Sequence, residues 1–137
     1  MKFIIGGAWQ GKRSYALQLA QNDIKNREES MLEIETKVAE GSLDSYETAY
    51  SCRIIHDFQE YVRRLLKEEK NPEEFLWEII KRNPGVIITM NELGCGIVPE
   101  APFERTWREG SGRIAVMIAK QSSEVYRLVC AIPTQIK

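Results

Sequence analysis

Near the amino end the sequence reads "IIGGAWQGKRSYALQLA", with Gly6, Gly11 and Lys12 spaced as G-x-x-x-x-G-K. Glycines at such positions let the chain turn so that successive backbone N–H groups point inward. A lysine directly after the second glycine adds an ammonium to that cradle. Residues Gly6, Gly7, Ala8, Trp9, Gln10, Gly11 and Lys12 can therefore hold the phosphates of a nucleotide, given a strand before them and a helix after them. The residue after the lysine in such loops is a Ser or Thr whose hydroxyl ligates Mg²⁺; here it is Arg13. Ser14 comes one residue late, about 100° further round a helix. Two readings of Arg13 stand side by side. It is a spectator beside a weakened Mg²⁺ site, or its guanidinium takes over part of the metal's task of neutralising phosphate charge.

A phosphate site of this kind pairs with an acid at the end of a neighbouring strand, which holds the metal through water. Glu92, directly after "VIITMN", is the first candidate, and Glu40 in "KVAEG" the second. Glu100 and Glu109 are weaker ones. Arg113, in "GSGR", is a candidate contact to nucleotide or acceptor. The sole histidine, His56, falls with Glu60 and Arg63 on the polar side of an expected helix and reads as a solvated surface group.

These residues need elements to position them. "KFII" reads as a buried strand, and Lys12 to about Asn26 as a helix with Ala16, Leu17, Leu19, Ala20 and Ile24 mostly on one side. "MLEIETKV" alternates and reads as a half-exposed strand near a sheet edge. "AEGSLDS" follows as a loop. Arg53 to Lys70 reads as one helix. "NPEEFLWEIIKRNPG" reads as another, with Asn71 as N-cap, Pro72 at N1 and acids in the first turn. "VIITM" has the continuous apolar character of a central parallel strand. Phe103 to Gln121 reads as a helix in spite of Gly110 and Gly112, and "EVYRLVCAI" as a final strand. The order β-α-β-α-α-β-α-β predicts an α/β sandwich with a mostly parallel sheet.

With 137 residues the length suits one domain. Nineteen basic and twenty acidic side chains give a net charge of −1. No overall field favours nucleic acid or an anionic membrane, so any anion site must be local. Three widely spaced cysteines, Cys52, Cys95 and Cys130, suggest neither a disulfide framework nor a zinc site. A reduced, cytoplasmic setting is the expectation. No signal peptide or membrane span is read.

The loop stretch "IIGGAWQGKRSYA", the run "VIITMNELGCGIVPE" and the tail "WREGSGRIAVMIAKQSSEVYRLVCAIPTQIK" together resemble the adenosylcobinamide kinase/adenosylcobinamide-phosphate guanylyltransferase family of cobalamin biosynthesis. The resemblance covers about half of the chain, at its two ends. It implies a P-loop NTPase-like three-layer sandwich over residues 1–137. It also implies GTP or ATP as donor with Mg²⁺, the hydroxyl of adenosylcobinamide's aminopropanol arm as acceptor, and a homo-oligomer, typically a trimer. Members of the family also transfer GMP through a guanylylated histidine. The middle of this chain is shorter than in the bifunctional members, and "RIIHDFQEYV" lacks the run that follows that histidine, so the role is not carried onto His56. The resemblance thus points to a kinase phosphorylating adenosylcobinamide. The alternative is a nucleotide- or corrinoid-binding module without catalysis.

Overall fold

A computed structural model describes residues 1–23 and 31–137. Six strands form one sheet in the order β2-β3-β4-β1-β5-β6. The strands are β1 (Lys2–Gly6), β2 (Val38–Glu40), β3 (Ile54–His56), β4 (Ile87–Asn91), β5 (Glu124–Val129) and β6 (Ile132–Gln135). All neighbours run parallel except β5 and β6. The helices are α1 (Lys12–Asn22), α2 (Met31–Glu35), α3 (Tyr46–Ala49), α4 (Phe58–Lys67), α5 (Pro72–Arg82) and α6 (Pro102–Gln121).

The central strands β1, β3 and β4 are buried on both faces, which is why they read as apolar runs. Ile4, Ile54, Ile87 and Leu128 face Ala16, Leu17 and Ala20 of α1 and Ile34 of α2. Phe3, Ile55, Ile88 and Val125 face the larger core contributed by α4, α5 and α6. Three layers result, as the sequence predicts. β1 sits between β4 and β5, with Lys2 level with both Ile87 and Glu124. In open sheets of this type ligands bind beyond the carboxyl ends of the strands, where the strand order reverses. Here that place is the carboxyl end of β1 and β4.

Helix α5 forms where its signals lie. Asn71 accepts from the Glu73 N–H at 2.9 Å, Pro72 opens the helix, and Lys81 and Arg82 close it. Such a cap is worth about 1 kcal/mol. Helix α6 runs unbroken through Gly110 and Gly112, and Gly110 lies against Val62 and Leu66 of α4.

Three sequence expectations are corrected. "MLEIETKV" is not a strand from its start: Met31–Glu35 is a helical turn, and the edge strand begins only at Val38. The alternation misleads because only Ile34 is buried, whereas Leu32 is exposed. The expected helix from Arg53 is a strand, β3, followed by a helix from Phe58. Ile54 and Ile55 are both fully buried because they point to opposite faces of the sheet, an arrangement two consecutive helical residues cannot reach. The final strand stops at Val129 and turns back. Cys130 and Ala131 both take positive φ, 51° and 62°, and reverse the chain into β6, an exposed edge strand that tolerates Pro133. The short helix α3, capped by Ser45, follows the expected loop "AEGSLDS" at residues that carry no sequence expectation. Helix α1 is described to Asn22; the expected continuation to Asn26, with Ile24, lies outside the described residues.

Candidate functional site

β1 ends at Gly6, and the chain turns over the carboxyl edge of the sheet before α1 begins at Lys12. Gly6 is required by its neighbour strand: a Cβ there would stand 2.5 Å from the Leu128 carbonyl oxygen. Gly11 caps the helix in the left-handed region, φ 82°, and lies against Ala131. The hairpin turn after β5 braces the loop from that side. Ala131 N–H donates to the Gln10 carbonyl at 3.1 Å, and Cys130 N–H donates to the Gln10 side chain. The loop's shape is thus held by residues at the far end of the chain.

Ala8 to Arg13 line a cleft of about 410 Å³, closed on its other side by His56, Asp57 and Asn91. The volume is that of a small-molecule site. Lys12 is 4% exposed, and its ammonium donates to the Gly7 carbonyl at 2.7 Å. Burial lowers its proton affinity below that of an ordinary lysine, opposed by the charges of Asp57 and Glu92. Trp9 is fully exposed at the rim, in the left-handed region at φ 60°. Ser14 is exposed and is not part of the cleft wall, as its position one residue late predicts.

Arg13 is turned aside. Its Nε lies 3.3 Å from Glu40 Oε1 and its Nη1 3.7 Å from Glu35 Oε1. Glu40, the second acid expected from sequence, therefore serves as Arg13's counter-charge. Glu92 is held by Arg127 at both oxygens, Nε to Oε1 at 3.1 Å and Nη2 to Oε2 at 3.2 Å. It stands at the end of β4, where its backbone N–H donates to the Gly6 carbonyl, but it lines the next cleft rather than this one. Arg113 is well exposed, pairs with Glu109 on α6 and borders a groove against Asn71 and Leu66, away from the loop. Glu100 lies in the loop before α6, its carbonyl held by Arg105.

The residues that sequence reading missed are at the ends of β3 and β4. His56 is not a solvated helix residue. It ends β3 with its ring half-buried, and Nδ1 lies 2.7 Å from Thr89 Oγ1. Thr89 is fully buried, and its oxygen also accepts from the Asp57 N–H at 3.2 Å. The single hydroxyl proton of Thr89 is satisfied only if Nδ1 accepts it, since a buried unpaired O–H is costly. The neutral ring then carries its proton on Nε2, 3.7 Å from Asp57 Oδ2. Burial, with Lys12 and Arg13 nearby, lowers the histidine's proton affinity; Asp57 and Glu40 oppose the shift. Asp57 itself takes φ 53° and precedes α4 without capping it through its side chain. Gly41 makes room for it: a Cβ there would lie 2.3 Å from the Asp57 carbonyl oxygen. The dipeptide His-Asp before an amphipathic helix was the available signal, hidden once β3 was read as part of that helix.

Among the described residues no group of three or more His, Cys, Asp or Glu converges as a ready metal cage. Mg²⁺ bound with phosphates needs less, one or two protein oxygens with the rest from substrate and water. Asp57 and Asn91 meet that need: both line the cleft, and Asn91 Oδ1 is buried without a partner among the described residues. Also among the described residues, no helix is long and apolar enough to cross a membrane.

Residues 23–136 match the family model described as cobinamide kinase / cobinamide phosphate guanyltransferase. The match starts beyond the loop, whose Arg13 departs from the usual pattern. Over 52 residues the chain is 38% identical to the bifunctional adenosylcobalamin biosynthesis protein CobU of Escherichia coli (strain K12), covering 38% of this chain and 29% of that protein. The match thus spans under a third of that relative's length.

Proposed function

The chain belongs to the cobinamide kinase / cobinamide phosphate guanyltransferase family, and on that premise we propose that it is a nucleotide-dependent kinase phosphorylating adenosylcobinamide. The observation that carries the reading is the convergence, in one cleft, of the loop from Ala8 to Arg13, the buried Lys12 ammonium and the Asp57 carboxylate.

Backbone N–H groups of residues 7–12 and Lys12 bind the phosphates of GTP or ATP, aided by the positive end of α1. Asp57 and Asn91 are the residues that would hold Mg²⁺ in this cleft. When bound, the metal neutralises charge on the transferring phosphoryl group. The acceptor hydroxyl approaches from the Glu92 side. Its oxygen bonds to the terminal phosphorus, and its proton passes to the Glu92 carboxylate. The bond to the bridging oxygen breaks, and its electrons leave with the nucleoside diphosphate. Positioning and charge neutralisation account for most of the rate in such transfers. Arg127, bonded to both of its oxygens, keeps the Glu92 carboxylate aimed. A homo-oligomer, trimeric as in the family, is part of this proposal.

Nucleotidyl transfer has less support. A histidine nucleophile needs a free nitrogen lone pair facing the donor, and in His56 Nδ1 is engaged by Thr89, which in the tautomer that satisfies the Thr89 hydroxyl leaves the proton on Nε2. A second reading, binding without catalysis, is favoured by one observation: the place of the loop hydroxyl is taken by Arg13, tied to Glu35 and Glu40.

Single-turnover reactions with adenosylcobinamide separate the three. Label from the γ position of GTP or ATP passing to the corrinoid supports the kinase. Label from the α position of GTP retained on the protein, and absent in His56→Ala, supports the transferase. Nucleotide bound without transfer of either label leaves the binding module.

A further inference from the structure

Asp57 follows the end of β3 and Asn91 ends β4, and the backbone pairing of these two strands stops short of both. β3 and β4 are paired as far as Ile55↔Ile88. At the next level side chains take over. Thr89 is fully buried; its Oγ1 lies 2.7 Å from His56 Nδ1 and accepts the Asp57 N–H at 3.2 Å. Gln59, in the first turn of α4, is 1% exposed, and its Oε1 accepts the Asn91 N–H at 3.0 Å. Trp107 of α6 in turn donates its indole N–H to the Gln59 carbonyl at 2.7 Å. Neither Thr89 nor Gln59 lines the cleft. Packing alone does not call for them: valine and leucine would fill the two places with no buried polar atom to satisfy. Asp57 itself is in the left-handed region, φ 53° and ψ 55°, which disfavours a residue with a Cβ. Such conformations persist where neighbours over-determine them, and they cluster at functional sites. Here Thr89 holds the Asp57 N–H from β4, and Gly41 lies under its carbonyl.

Resting on the kinase reading, we propose that Thr89 and Gln59 are positioning residues: Thr89 fixes Asp57, Gln59 fixes Asn91, and together they present both side chains to the cleft as a pair for Mg²⁺. Gln59 takes only the main-chain N–H of Asn91, and Asn91 Oδ1 stays without a partner among the described residues. Mg²⁺ demands near-ideal octahedral geometry, so a shift of either residue is felt first in metal affinity. The phosphate loop is braced by other bonds. Gln10 is held by the N–H groups of Cys130 and Ala131, and neither bond passes through Thr89 or Gln59. The metal side of the cleft can therefore be loosened while the phosphate side stays as it is.

Binding of GTP and ATP, without metal and across a Mg²⁺ series, tests this in the parent and four variants. Thr89→Val keeps the volume and loses the hydroxyl, and Thr89→Ser returns it. Gln59→Met removes the acceptor for Asn91. Ile79→Val trims a fully buried side chain elsewhere in the core and controls for general destabilisation. The expected result is metal-free nucleotide affinity unchanged throughout. The Mg²⁺ concentration giving half of the metal's effect rises about tenfold in Thr89→Val and in Gln59→Met, the loss of one hydrogen bond each. It returns to the parental value in Thr89→Ser and does not move in Ile79→Val. If Thr89→Val does not fold, Gln59→Met decides alone. A Mg²⁺ requirement that stays parental in Thr89→Val and Gln59→Met but rises in Asp57→Asn would make the two residues merely structural, and the kinase reading would stand. An equal loss of metal-free and metal-dependent affinity would say the same. If the parent binds nucleotide no differently with Mg²⁺ than without, the metal role of Asp57 and Asn91 falls, and the positioning role with it.

Discussion

The cleft over Lys12 is lined by main-chain amides and fixed charges, braced from behind by the turn at Cys130 and Ala131. The cleft beyond Asn91 is lined by Gly94, Gly112, Ala115, Glu92, Arg108 and Ser111, whose hydroxyl has no hydrogen-bond partner among the described residues. The two meet at a single side chain. One wall suits a polyphosphate, whose charge a few oriented N–H groups can hold in place. The other wall is set by open space at Gly94 and Gly112 rather than by main-chain amides.

The comparison breaks most sharply at Lys12. Lys12→Ala is expected to weaken triphosphate binding on the order of a hundredfold, from a charge-assisted bond worth about 1.5–3 kcal/mol, and to leave adenosylcobinamide affinity unchanged. Calorimetric titration with each ligand checks both halves, and a parallel loss of both would erase the division. Next is the scaffold under Asp57. Gly41→Ala forces a Cβ to within 2.3 Å of the Asp57 carbonyl and is expected to destabilise the fold by about 2–3 kcal/mol, seen as a lower denaturation midpoint.

Arg127→Met should be the reverse case. The pair with Glu92 is partly exposed and worth under about 1 kcal/mol to stability, so the midpoint barely moves while turnover drops about tenfold. An unaltered rate would remove Glu92 from the acceptor side. The smallest effect belongs to pH. The folded protein holds His56 below its ordinary proton affinity, mainly through burial. As pH falls through about 6.5, the unfolded chain takes up a proton that the folded chain still refuses. Stability is therefore full above that pH and declines below it. In His56→Gln this part of the decline is absent, as denaturation at a series of pH values would record.

Much of this architecture is legible in the sequence. "KFII" and "VIITM" announce central strands because both faces of each are buried, and Asn71-Pro72 announces α5 because its cap and first turn obey local chemistry. The loop from Gly6 to Lys12 is read from spacing alone. The middle is harder. Ile54 and Ile55 look like the start of a helical stripe, and only the sheet decides that they face opposite layers. With β3 hidden, Asp57 is hidden too, and His56 is assigned to solvent. The pairing of Glu40 with Arg13 and of Glu92 with Arg127 spans 27 and 35 residues, and no local pattern encodes it. The second cleft is invisible for the same reason: glycines in α6 read as weak helix formers, and their open space appears only once β4 lies alongside.

One titration bears most directly on the loop. GTP, GDP, GMP and guanosine, with the adenine series alongside, are titrated into the parent and Lys12→Ala at fixed Mg²⁺. Affinity that climbs with each added phosphate and collapses in the variant is the expected result. Equal affinity for nucleoside and triphosphate, or a variant that binds triphosphate as tightly as the parent, would mean that the turn from Gly6 to Lys12 holds no phosphate.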